Sequence, residues 1–164
     1  MNEVAVIGSG PAGLSAALAL RENGRTPVIF ERKDLPALKL LASGGGRCNF
    51  ANILDLEAFM VKFGRNGRFM RDALRFAPRE WLISFLETHG VPVQVTDGFY
   101  YFPESGRARD ILNAFLAASH AVVKTSSEVS EILTENGVVS GIRVNGIAIP
   151  FERVILAAGG TAWK

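Results

Sequence analysis

Apolar positions along the chain form two kinds of pattern: short unbroken runs and longer stretches at helical spacing. Val4-Ala5-Val6-Ile7 is an unbroken run, as expected of a strand buried on both faces of a parallel sheet. After Gly8 to Gly13, the stretch Leu14 to Asn23 places Leu14, Ala17, Leu18 and Arg21 at helical spacing. Ala16, Ala19 and Leu20 make that helix apolar almost all round, which predicts packing on more than one side, and Gly24 supplies its stop. Pro27 to Glu31 then reads as a second strand, completing a βαβ opening of about thirty residues.

Leu35 to Asn52 is rich in loop residues. Two helices are expected after it. The first presents Phe69, Ala73 and Phe76 on a packing face and Arg68, Arg71, Arg75 and Arg79 on a solvated one. The second opens at Pro78, turns Trp81, Leu82, Phe85 and Leu86 inward, and stops at Gly90. Val91 to Phe102 reads as extended, and Arg107 to Ser119 as a helix burying Ile111, Leu112 and Phe115. Ala121 to Val123 follows as a third parallel strand. Asn136-Gly137 and Asn145-Gly146 then divide three alternating segments into an antiparallel meander, with Val138, Ile142 and Val144 along its middle strand. Val154 to Ala158 is the last run, read as another buried strand. The fold class is therefore α/β, a Rossmann-like parallel sheet carrying a three-stranded antiparallel meander. A central parallel strand ordinarily leads into a covering helix, whereas this chain stops at Trp163-Lys164. The expectation is the first part of a longer protein, incomplete at its C-terminus.

Composition narrows the class. The 164 residues are 48% hydrophobic and 21% charged, which excludes disorder, coiled coil and collagen-like fibre. A net charge of +2 is too small to argue for nucleic acid or an anionic membrane, so neither is expected as a partner. Met1-Asn2-Glu3 lacks the basic start of a signal peptide, and no run approaches the ~18 apolar residues of a membrane span. Cys48 is the single cysteine, which excludes an intrachain disulfide and suits a reducing cytoplasm. No metal-ligand cluster, Ser-His-Asp set or carboxylate pair stands out, and His89 and His120 sit near helix ends where an imidazole suits the dipole.

The candidate chemistry lies in the glycines. Gly8, Gly10 and Gly13 fit the dinucleotide fingerprint: the first allows a tight turn, the second lets backbone approach a pyrophosphate, and the third packs helix on strand. Glu31 ends the next strand, where a carboxylate can accept from ribose hydroxyls, and disfavours the extra phosphate of NADP. Arg32 beside it could offset that charge or contact ribose or adenine, or be plain surface. The bland alternative for the whole set is a tight turn and a surface glutamate. Around Gly44, Gly45 and Gly46 the backbone is free for close approach to a ligand, with donors on Arg47 and Asn49. That segment alone could equally be a flexible loop, and Cys48 a small buried hydrophobe rather than a redox thiol. The arginines from Arg65 to Arg79 could bind phosphate, but read more simply as a solvated face.

Together, Gly8 to Gly13, Glu31-Arg32 and the stretch Lys39 to Asn49 with its GGGRCN element resemble the bacterial FAD-dependent flavoproteins described as aminoacetone oxidase-like or BaiN-like. Tyr101 to Ala108 and Val154 to Gly160 extend the resemblance over the whole chain. It implies a glutathione-reductase-type FAD-binding domain, partial over residues 1–164, with a second domain and the completion of the FAD site lying further on. It implies a pyrophosphate over Gly10, Pro11, Ala12 and Gly13, and adenosine ribose on Glu31 beside Arg32. The flavin part would lie along Gly45, Gly46, Arg47, Cys48 and Asn49. Lys39, Val129, Ala158 and Gly159 would pass close to the cofactor, Val129 at the position whose backbone meets adenine. Ala51 stands where family members usually carry Thr, which removes a hydroxyl near this site.

The implied function is the FAD-binding part of an oxidoreductase acting on a small organic substrate, with NAD(P)H as a possible electron donor. Two rivals stand beside it: a truncated, non-catalytic remnant with weak or no nucleotide binding, and a nicotinamide-binding module without flavin. No catalytic acid or base is assigned.

Overall fold

A computed structural model describes residues 4–160; the expectations placed on Met1 to Glu3 and on Trp163-Lys164 lie outside the described residues. The chain divides into two compact units, residues 1–40 with 115–164, and residues 41–114.

In the first unit, strands β1 (Val4–Ile7), β2 (Val28–Phe30), β6 (Val122–Lys124) and β10 (Arg153–Leu156) form one parallel sheet in the order β10-β1-β2-β6. Strand alternation sends Ala5, Val28 and Phe30 into a core with Ile142, Val144 and Phe151, where the Phe30 and Phe151 rings meet edge to face at 5.7 Å. The last three come from or follow the meander β7 (Val129–Glu135), β8 (Val138–Val144) and β9 (Ile147–Pro150). Asn136 and Asn145 both adopt positive φ at its turns, as the Asn-Gly pairs predict. Helix α1 (Pro11–Glu22) buries Gly13, Leu14, Ala17 and Leu18.

Four expectations for this unit change. Helix α1 begins at Pro11 rather than Leu14, because proline presets the first helical φ and has no N–H to lose. Its packing is one-sided at Ala19, which is exposed. Val138 is exposed while Ile142 and Val144 are buried, because a register shift between Leu133 and Thr134 reverses the alternation along β8. The last run is not a buried central strand among the described residues: β10 pairs only with β1, ends at Leu156, and leaves that residue 68% exposed.

The second unit holds α3 (Leu56–Val61), α4 (Gly67–Phe76) and α5 (Arg79–Thr88) with a sheet ordered β3 (Ala51–Asn52), β5 (Tyr100–Pro103), β4 (Val93–Thr96). The stretch read as extended is therefore a hairpin, turned by Asp97 and Gly98 at positive φ. Helix α3 was not foreseen; Asp55 caps it by accepting from the Ala58 N–H at 2.8 Å. The loop-rich stretch also contains α2 (Leu38–Ala42) and a 3₁₀ turn over Ser43–Gly46. The expected packing face of α4 is reversed. Phe69 and Phe76 are 93% and 91% exposed, whereas Gly67 is buried and Met70, Arg71 and Leu74 are half-buried. A side chain at Gly67 would run into the Met60 carbonyl, so close approach of α3 selects that face. Trp81 is also turned outward, 40% exposed, while Leu86 is fully buried. Helix α6 (Ala108–Ser119) buries Ile111, Leu112 and Phe115 as its spacing predicts.

Candidate functional site

The glycines of the first turn divide by what surrounds them. Gly8 has φ +100°, and a Cβ there would strike the Ala157 carbonyl; one on Gly13 would strike the Gly8 carbonyl. These two bring β10 and α1 onto the end of β1. Gly10 is different: a Cβ built on it meets nothing within 4 Å. Its surroundings are open because it borders a cleft of about 340 Å³, lined by Gly10, Pro11, Ala12, Glu31, Lys39 and Gly159 among others. Helix α1 opens into that cleft with no side-chain cap and no acidic residue in its first turn. Its free N–H groups and positive dipole end are therefore available to an anion.

Glu31 stands across the cleft with its carboxylate already held. Oε2 accepts from the Ser9 hydroxyl at 2.6 Å and the Ser9 N–H at 3.1 Å, and Oε1 accepts from the Lys33 N–H at 3.0 Å. Burial pushes the carboxyl upward, but the Ser9 hydroxyl, the Lys33 and Ser9 amides and nearby Arg32 outweigh it and hold the group below its ordinary value. Lys39 donates from Nζ to the Gly160 carbonyl at 3.2 Å, and Arg32, Lys33 and Lys39 are all among the residues that line the cleft. Sequence reasoning did not single out Ser9, Lys33, Ala37 or Ala157. For Ser9 the signal was its place between two fingerprint glycines with a carboxylate 22 residues further on. Val129 opens β7 and packs against the hydrophobic core, and neither it nor the exposed Ala158 lines the cleft.

The GGGRCN segment belongs to the second unit. Gly44, Gly45 and Gly46 take φ of 56°, 67° and 88°, a left-handed turn closed by the Cys48 N–H on the Ser43 carbonyl at 2.9 Å. Arg47 lies over the Phe102 ring at 4.7 Å and donates from Nε to the Gly44 carbonyl at 3.3 Å. Cys48 is buried, which pushes its thiol up against a hydrogen bond with Ser43 that lowers it. Asn49 is exposed and begins the lining of a cavity of about 640 Å³ that continues through Asn52, Phe59, Arg79 and Tyr100. Arg79 supports that wall by donating to the Asn52 and Leu54 carbonyls at 2.8 and 3.1 Å. Among the described residues no group of three or more His, Cys, Asp or Glu side chains is placed to hold a metal ion, and no helix is long and apolar enough to cross a membrane.

The first cleft combines groups that could hold a nucleotide: open space over Gly10, an uncapped helix start and a carboxylate. The fold is that of an FAD-binding Rossmann domain. Residues 2–164 match the family model described as "HI0933-like protein Rossmann domain", and the chain belongs to that family. It is 33% identical over 171 aligned positions to a 3-dehydro-bile acid delta(4,6)-reductase of Clostridium scindens, covering 100% of this chain and 40% of the relative. It is 28% identical to a ribosomal RNA dihydrouridine synthase of Escherichia coli, covering 94% of this chain and 38% of that one. The chain thus spans about 40% of the length of the curated relatives it matches. The open conformation of a flavocytochrome c3 fumarate reductase shares the fold, with a TM-score of 0.72 at 19% identity over 97% of this chain and 34% of its own. A relative named for ribosomal RNA corrects one expectation: low net charge does not exclude nucleic acid in this family.

Proposed function

We propose that this chain supplies the nucleotide-holding part of an FAD-dependent oxidoreductase acting on a small organic substrate in the cytoplasm, with NAD(P)H as electron donor. The observation that carries the reading is the 340 Å³ cleft that joins the Gly10 turn, Glu31 and Lys39. The α1 N–H groups and Lys39 would take the pyrophosphate, Glu31 the adenosine ribose, and the GGGRCN backbone and Arg47 the flavin. When bound, FAD supplies an isoalloxazine that exchanges electrons with substrate or nicotinamide. The protein's own groups bind, orient and keep Glu31 charged. Competition tests this: FAD and ADP should displace one another from the chain, while FMN, which lacks adenosine, should not. FMN binding as well as FAD, with no effect of ADP, would overturn it; NAD displacing ADP with no FAD binding would favour the nicotinamide module.

A second reading of the substrate, an RNA base, is favoured by α4. Phe69 and Phe76 project almost fully exposed, with Arg68 and Arg75 exposed on the same helix. Exposed rings beside arginines suit stacked bases and phosphates. Anisotropy of a labelled single-stranded RNA should show binding that weakens with salt and with Phe69→Ser. Salt-independent binding, or none, removes this reading and leaves the first intact.

A further inference from the structure

We propose that Ser9 is a positioning residue that sets how Glu31 reads a ribose: it occupies one carboxylate oxygen and leaves the other to accept a single hydroxyl. The proposal rests on the adenosine reading of the cleft.

Ser9 is fully buried, so its hydroxyl must be bonded or costly. Both of its roles are used: Oγ donates to Glu31 Oε2 at 2.6 Å and accepts from the Ala37 N–H at 2.9 Å. The Ala37 donor is itself fixed, buried and at φ +57°. An ionised carboxylate offers about four acceptor positions. Ser9 fills two on Oε2 and the Lys33 N–H one on Oε1, so the remaining position is on Oε1. A ribose gripped through both hydroxyls by both oxygens would require Ser9 to let go. The arrangement therefore reads one hydroxyl of the pair and ignores the other. Without the serine hydroxyl, Oε2 keeps the residue 9 N–H but regains one acceptor position for a second ribose hydroxyl, and the Ala37 N–H loses its acceptor.

The test uses the chain itself with ADP, 2′-deoxy-ADP and 3′-deoxy-ADP, measured by calorimetry. Wild type should lose about tenfold or more with one deoxy analogue, the effect of a hydrogen bond to a charged group, and little with the other. Ser9→Ala should compress that difference to within about threefold. In a Glu31→Gln background, Ser9→Ala should leave the ratio unchanged, because the charged acceptor it positions is gone. Equal losses for both analogues in wild type, or an unaltered ratio in Ser9→Ala, overturns the proposal.

A second readout needs no ligand. The Glu31 carboxyl carbon, followed by NMR, should titrate below its ordinary range in wild type and higher in Ser9→Ala. Arg32, Lys33 and Lys39, which border the cleft, are unchanged in both proteins. If wild type binds no ADP at millimolar concentration, the adenosine reading falls, and the ribose role of Ser9 with it. If ADP binds but the titration of Glu31 is the same in both proteins, the positioning role alone is overturned.

Discussion

The two units were read from one sequence with different success, and the difference is instructive. In residues 4–40 and 115–160, every strand of the parallel sheet lies where an apolar run placed it. There the backbone is constrained locally, by glycines that admit neighbouring carbonyls and by Asn-Gly turns. In residues 41–114 the expected helices exist, but the face of α4 is turned the other way, at Phe69 with Phe76, and on α5 Trp81 is exposed while Leu82, Phe85 and Leu86 turn inward as expected. Short helices rich in both aromatics and arginines carry two candidate faces, and spacing alone does not choose between them. Neighbours choose, as Gly67 against Met60 shows.

The contrast can be broken experimentally, and the largest effect belongs to the first unit. Gly13→Val should prevent folding or cost more than ~4 kcal/mol, since its Cβ meets the Gly8 carbonyl, a backbone atom that cannot yield. Urea denaturation checks this, and a near-wild-type midpoint would show that α1 can move off the strand. Next comes Leu86→Ala in the second unit. Its fully buried side chain should cost about 2–5 kcal/mol by the same measurement.

Gly10→Val separates fold from binding. Its side chain enters open space, so the melting temperature should be nearly unchanged while FAD or ADP affinity falls about 100-fold. Lost stability with retained binding would mean that this glycine serves the turn rather than the ligand. Smaller still is the effect at Cys48. Burial and the raised thiol should slow its reaction with a disulfide reagent by about tenfold or more relative to the urea-unfolded chain. Equal rates would mean that the GGGRCN turn opens readily.

The smallest effect is the sharpest test of the reversed helix. Phe76→Ser should change stability by no more than ~0.5 kcal/mol, as expected for an exposed position. A loss comparable to Leu86→Ala would restore the packing face that the spacing suggested.

What the amino-acid order determined by itself was local: the β1-α1-β2 turn, the acidic residue after β2 and the meander turns. Each depends on steric limits of a few consecutive residues, which the chain carries with it wherever it goes. Tertiary structure decided the rest. The reversed alternation of β8 depends on its register with β7, and the placing of Phe69 depends on the approach of α3. The grip on Glu31 needs Ser9 and Lys33 together, and Ser9 is held in turn by Ala37. No periodicity encodes such a set. It exists only once β1 and β2 lie side by side, because hydrogen bonds act over about 3 Å of space whatever the separation along the chain.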